Sequence, residues 1–167
     1  MKDLGALGDS ISSGYAINNA GQVVGFSYSA SGPSHAFLYT DGQMRDLGTL
    51  GGTHSAAEGI NNAGQVVGTA DKSFASQRAF LYTNGQMQDL NSLIDPALHI
   101  TLLDAHAIND QGQIAANYFS GTVVHAYLLT PIPEPSTLAL SCLALLGLGL
   151  WASRTAHRNS ARLSSLL

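Results

Sequence analysis

Ala16-Ile17-Asn18-Asn19-Ala20-Gly21-Gln22-Val23-Val24-Gly25 decides the fold, because the chain writes it three times. Gly59-Ile60-Asn61-Asn62-Ala63-Gly64-Gln65-Val66-Val67-Gly68 repeats it almost letter for letter, and Ala107-Ile108-Asn109-Asp110-Gln111-Gly112-Gln113-Ile114-Ala115-Ala116 repeats it with drift. Ile17 to Ile60 is 43 positions and Ile60 to Ile108 is 48. Two other landmarks keep step. His35-Ala36-Phe37-Leu38-Tyr39 returns as Arg78-Ala79-Phe80-Leu81-Tyr82 and as His125-Ala126-Tyr127-Leu128-Leu129. Lys2-Asp3-Leu4-Gly5 returns as Arg45-Asp46-Leu47-Gly48 and Gln88-Asp89-Leu90-Asn91. A period in the low forties is about the length of one four-stranded unit.

Within a repeat the pattern predicts four short strands. A strand through Tyr15-Ala16-Ile17 enters the Asn-Asn-Ala-Gly tetrad, whose Gly can take positive φ without steric cost, and returns through Gln22 to Tyr28. The polar loop Ser29 to Ser34 leads to His35–Thr40. Asp41-Gly42 (Asn84-Gly85 in the second copy) is a strong two-residue hairpin signal before Gln43–Leu47. Both alternating sets of Ala36-Phe37-Leu38-Tyr39 are apolar, so this strand is expected to bury both faces between stacked sheets. In copy three a five-residue insertion falls within Ser92–His99 and reads as a surface excursion.

The fold class expected is all-β: three tandem four-stranded antiparallel units of about 43 residues, a partial β-propeller-like array, plus one C-terminal transmembrane helix. A β-solenoid is the main rival. The repeats run approximately 1–43, 44–86 and 87–130, followed by a Pro-rich linker at 131–135, the apolar span at 136–153 and a basic tail at 154–167. Three units leave open edges, so the array is expected to be longer or to close by association. The chain opens inside a repeat, which leaves no room for a secretion leader and suggests that the gene begins upstream of Met1.

All 11 acidic residues precede Pro135, against only Lys2, Arg45, Lys72 and Arg78 in the same stretch. A negative body without basic clusters argues against nucleic-acid binding, which needs Lys or Arg to displace phosphate counterions. The sole cysteine, Cys142, lies in an apolar run, which excludes a disulfide framework. Ser136 to Ser153 carries no charge, and at ~1.5 Å per residue it would span about 27 Å as a helix. Trp151 ends it, and Arg154, Arg158 and Arg162 follow, which by the positive-inside rule puts the basic end in the cytoplasm and the repeats outside.

Pro133-Glu134-Pro135, the apolar span and the basic cluster Arg154, Arg158 and Arg162 together resemble a PEP-CTERM sorting signal. The resemblance implies recognition by an exosortase, a membrane transpeptidase-like cysteine enzyme. The product would be held in the inner membrane before processing and released to the cell surface or extracellular matrix afterwards, in the company of exopolysaccharide. Here the basic residues are spread out and Asn159 to Leu167 runs on beyond them. The body resembles the HAF family of extracellular repeats, named for a triplet that stands here as His35-Ala36-Phe37; Leu47-Gly48-Thr49-Leu50-Gly51-Gly52 is also typical. Neither resemblance implies a reaction.

His35 and His125 are equivalent positions, but Arg78 stands between them and no His-x-His or His-x3-His spacing occurs, so no metal or cofactor is expected. The Asn-rich turns lack the alternating carboxylates of a calcium loop. Asp3, Asp46 and Asp89 recur in step, which suits the bonding of turn amides better than catalysis. Glu58 corresponds to Tyr15 in copy one, and no spacing pairs it with Asp104 or Asp71. The expectation is a structural or binding protein and not an enzyme; a glycan-acting enzyme of the matrix and a truncated non-functional fragment are the alternatives.

Overall fold

A computed structural model describes residues 1–8, 11–30, 32–74, 76–120 and 123–132. Within them, Met1–Pro131 forms one compact unit. The first sheet has the order β1 (Ser12–Ile17), β2 (Val23–Tyr28), β3 (Ser34–Thr40), β4 (Gln43–Asp46). The second repeats it as β5 (Ser55–Ile60), β6 (Val66–Asp71), β7 (Gln77–Thr83), β8 (Gln86–Asp89). The third has three strands, β9 (Leu102–Ile108), β10 (Ile114–Ser120) and β11 (Val123–Leu129), in the order β11-β10-β9. Every pairing is antiparallel.

Local chemistry explains each reversal. Asp41 (φ 52°) and Gly42 (φ 81°), like Asn84 (φ 53°) and Gly85 (φ 80°), take the paired positive φ that a two-residue hairpin turn requires. In the Asn-Asn-Ala-Gly turn the first Asn closes the loop with its own side chain. Asn61 Oδ1 accepts from Ala63 N (3.1 Å) and Gln65 N (3.0 Å), while Asn61 Nδ2 donates to Gln65 Oε1 (2.7 Å). Asn18 and Asn109 make the same three bonds in their own turns. The recurring aspartates each accept a turn amide: Asp3 from Gly5 N (3.0 Å), Asp46 from Gly48 N (2.7 Å) and Asp89 from Asn91 N (2.9 Å).

The sheets stack through two apolar layers. Val24 and Ala36 of the first sheet, with Leu47 from the connection, meet Ala57, Ile60, Val66, Ala70 and Phe80 of the second. Val67 and Ala79 on the opposite face meet Leu102, Ala105, Ile114 and Ala116 of the third, with Leu90 closing the layer. The strand carrying Ala79-Phe80 is therefore apolar on both faces, and both residues are fully buried. Gly68 allows β5 to lie close: a methyl group there would come within 2.1 Å of Ala56 O. The third sheet carries Ala116 at that position, and β9 has a second irregularity there, between Leu102 and Asp104.

The expected fold class is corrected in two respects. Among the described residues the third sheet has three strands, not four. Its β11 runs through Thr130 into Pro131-Ile132 instead of Asp-Gly or Asn-Gly, and proline offers neither the positive φ of the turn nor an N–H for a ladder. Second, no helix among the described residues is long and apolar enough to cross a membrane, so the transmembrane helix is not supported. The helices described are the three-residue 3₁₀ turns Leu90–Ser92 and Pro96–Leu98, which build the copy-three insertion and are capped by Asp89 and Asp95. The stretch 136–153, where that helix was expected, lies outside the described residues.

Candidate functional site

The first strand of each sheet carries a bulge two residues before the repeated isoleucine, Ile17, Ile60 or Ile108. The register shifts between Gly14 and Ala16, between Ala57 and Gly59, and between Ala105 and Ala107. A bulge leaves one residue unpaired and re-aims its side chain. The three residues so placed are Tyr15, Glu58 and His106.

Stacking of the second and third sheets brings two of them together. His106 Nδ1 bonds Glu58 Oε2 directly. On the other side of the ring, His106 Nε2 lies 2.9 Å from Asp104 Oδ1 and 2.9 Å from Asn117 Nδ2. With the Asn117 amide donating to Nε2, the ring proton sits on Nδ1 and points to Glu58; with the proton on Nε2, it faces Asp104 and Asn117. Asp104 Oδ1 is buried and lacks an aligned hydrogen-bond partner, although His106 is within ion-pair distance. The imidazole is half exposed, Glu58 about a quarter and Asp104 less. An imidazole held between two carboxylates on an accessible rim can bind a hydroxyl-rich ligand or pass a proton.

A second feature is a shallow cleft of about 190 Å³ lined by Ser34, His54, Ser55, Ala56, Thr69, Ala70, Asp71 and Gln77. Within it His54 Nδ1 lies 3.3 Å from Asp71 Oδ2, with Thr53 Oγ1 2.8 Å from the same nitrogen. Pockets that bury a small molecule run about 300–1,000 Å³, so this cleft suits one or two polar groups of a larger ligand. His35, the first copy's histidine, pairs at 2.7 Å with Asp46 on the neighbouring strand of its own sheet. Arg78 replaces it in copy two, and Asp89 is met there by Lys72 Nζ at 3.3 Å. Among the described residues no group of three or more His, Cys, Asp or Glu side chains is placed to hold a metal ion.

Sequence spacing missed the Glu58–His106–Asp104 cluster because its members come from different sheets, 46 to 48 positions apart for the inter-sheet pairs. The signal was present in the repeat alignment, where Tyr15, Glu58 and His106 share one column. The residues singled out for sorting, Pro133, Glu134, Pro135, Arg154, Arg158 and Arg162, lie outside the described residues.

Residues 131–156 match the PEP-CTERM protein-sorting motif. Such motifs are recognised by exosortase, so the chain carries a signal for exosortase-dependent export, with processing at the membrane and delivery to the cell surface. No curated protein and no solved structure matches the chain. Residues 9–124, which include most of the three sheets and both the cluster and the cleft, match the family model described as protein of unknown function (DUF3466), and the chain belongs to that family.

Proposed function

We propose that the repeat body is a structural or binding component of the cell surface or extracellular matrix, of the HAF type, which carries out no reaction of its own. Before processing it is held at the inner membrane with the repeats outside. Exopolysaccharide or another envelope component is its partner after release. The observation that carries this reading is the use made of the repeated polar side chains. Asn18, Asn61 and Asn109 close turns, and Asp3, Asp46 and Asp89 hold turn amides. What remains accessible is the hydrogen-bonded group of Glu58, His106 and Asn117 and, separately, the shallow cleft lined by His54, Asp71 and Gln77. A shallow polar surface of this kind suits hydroxyl-rich polymer better than a small substrate. The test is a polysaccharide array probed with the full chain. Retention without turnover supports the reading, and turnover of any glycan overturns it.

One arrangement favours a second reading, a glycan-acting enzyme. Glu58 and Asp104 lie on either side of His106, and glycoside hydrolysis uses two carboxyl groups set on either side of the scissile bond. Turnover that disappears in Glu58→Gln, with binding retained, would establish that alternative.

A further inference from the structure

The turns of the three repeats are stacked in a hydrogen-bonded column, and the column's two ends are complementary. Asn18 Nδ2 donates to Asn61 O (3.0 Å), and Asn61 Nδ2 donates in the same way to Asn109 O (3.0 Å). The next residue repeats the pattern: Asn19 N donates to Asn62 Oδ1 (2.9 Å), and Asn62 N to Asp110 Oδ1 (2.9 Å). The first and second turns thus each donate forward with the side-chain N–H of their first Asn and the backbone N–H of their second, to a carbonyl and a side-chain oxygen of the next turn, and Asn62 Nδ2 adds a bond to Asp110 Oδ2 (2.7 Å). At the third turn, Asn109 Nδ2 bonds Gln113 Oε1 within its own loop and makes no forward bond among the described residues. At the first turn, Asn18 O and Asn19 Oδ1 receive no bond from a preceding turn among the described residues. Donors stand at one end and acceptors at the other.

The apolar faces end in the same way. Val24, Ala36 and Leu38 of the first sheet, and Val67, Ala79 and Leu81 of the second, are packed by the sheet that follows. Their equivalents in the third sheet are Ala115, Ala126 and Leu128, all exposed, Leu128 at 68 %. At the opposite end, Ile60 of the second sheet is 9 % exposed, because it packs on the first, whereas its equivalent Ile17 is 68 % exposed. Among the described residues, the contact made twice within the molecule leaves a donor face on β10 and β11 and an acceptor face on β1 without a counterpart.

We infer that these two faces bind each other, so that the third sheet of one copy takes the first sheet of a second copy in the register of the internal stack. Asn109 Nδ2 of one copy donates to Asn18 O of the next, Asp110 N donates to Asn19 Oδ1, and Leu128 and Ala126 cover Ile17 and Val23. The contact is heterologous, and its repetition gives a ring or a filament. A surface protein built this way would assemble after export without a separate scaffold. The inference stands on the stack alone and does not require the binding reading above.

The experiment uses the full chain in mild detergent, which shields the leucine-rich stretch near the C-terminus, with Cys142→Ser as background. Asn19→Cys and Asp110→Cys versions are mixed under mild oxidation. The internal counterpart brings Asn19 N to Asn62 Oδ1, so positions 19 and 110 across the interface should fall within reach of a disulfide. Expected is a cross-link between the two versions and little within either alone. Leu128→Asp, at an exposed site, should leave the unfolding midpoint unchanged and reduce cross-linking about tenfold or more. A chain that stays monomeric by sedimentation, cross-linking as readily within one version as between them, or association indifferent to Leu128→Asp would each overturn the inference.

Discussion

Replacing Asn61 with Ala should cost more than the same change at Asn109, and the difference measures the stack. Asn61 is 3 % exposed, and its side chain makes four bonds: two accepted from Ala63 N and Gln65 N, two donated to Gln65 Oε1 and Asn109 O. Asn109 makes the three turn bonds but not the forward one, and it is exposed. A part-buried hydrogen bond is worth about 0.5–1.5 kcal/mol net, and a buried group stripped of its partner costs about 1–3 kcal/mol. Losing the turn bonds at an exposed site should therefore cost about 1–2 kcal/mol. At Asn61 the loss of Asn109's donor and the stranding of buried amides raise this to about 3–4 kcal/mol. That is a large share of the ~5–15 kcal/mol that holds a domain together. Urea unfolding followed by far-ultraviolet circular dichroism, on the full chain in detergent, reads the difference as a shift in midpoint at constant slope. Equal costs at the two positions would refute the claim that the turns hold the sheets together. An altered slope would show that the sheets had begun to unfold separately, as repeat arrays do when coupling between neighbours fails.

Phe80→Ala removes a fully buried ring from the layer between the first two sheets and should cost about 3–5 kcal/mol in the same unfolding assay, whereas Phe74→Ala, at a 94 % exposed residue, should cost almost nothing. Asn62 donates to Asp110 from its backbone and its side chain, which holds the Asp110 carboxyl below its ordinary range. A depressed value means that the folded state binds fewer protons, so the contribution is present above about pH 4 and lost as pH falls through the folded value. Asp110→Asn keeps an oxygen for Asn62 N and should flatten the acid limb of midpoint against pH while changing little at pH 7. Glu134→Ala should block processing in cells that carry an exosortase, read as retention of the full-length mass, without altering the unfolding of the repeat body.

The stacked strands were legible because the sequence repeats them with their turns intact. Asn-Asn-Ala-Gly, Asp41-Gly42 and Asn84-Gly85 each announce a reversal by chemistry that acts over two to four residues. The two-faced burial of Ala36-Phe37-Leu38-Tyr39 followed from its unbroken apolar run, and Ala36 and Phe37, on opposite faces of the strand, are both buried. The third unit was misread because its expected first strand, Gln86–Asp89, pairs with β7 in the second sheet, and Pro131-Ile132 stands where Asp41-Gly42 and Asn84-Gly85 turn the chain in the first two. The Glu58–His106 pair was illegible from spacing because the two meet only across sheets, and the bulges that aim them leave no composition signal. The same holds for the column of turns. Asn61 reads locally as a loop former, and only the stack reveals that its second amide hydrogen reaches Asn109, 48 positions away.

The most direct test of the account is the fate of the whole chain in a host with and without an exosortase. Intact-mass measurement of the envelope and matrix fractions should find a product cut near Pro133-Glu134-Pro135, with the repeat body at the surface, only where the enzyme is present. A chain that stays full-length and in the same fraction in both hosts would contradict it.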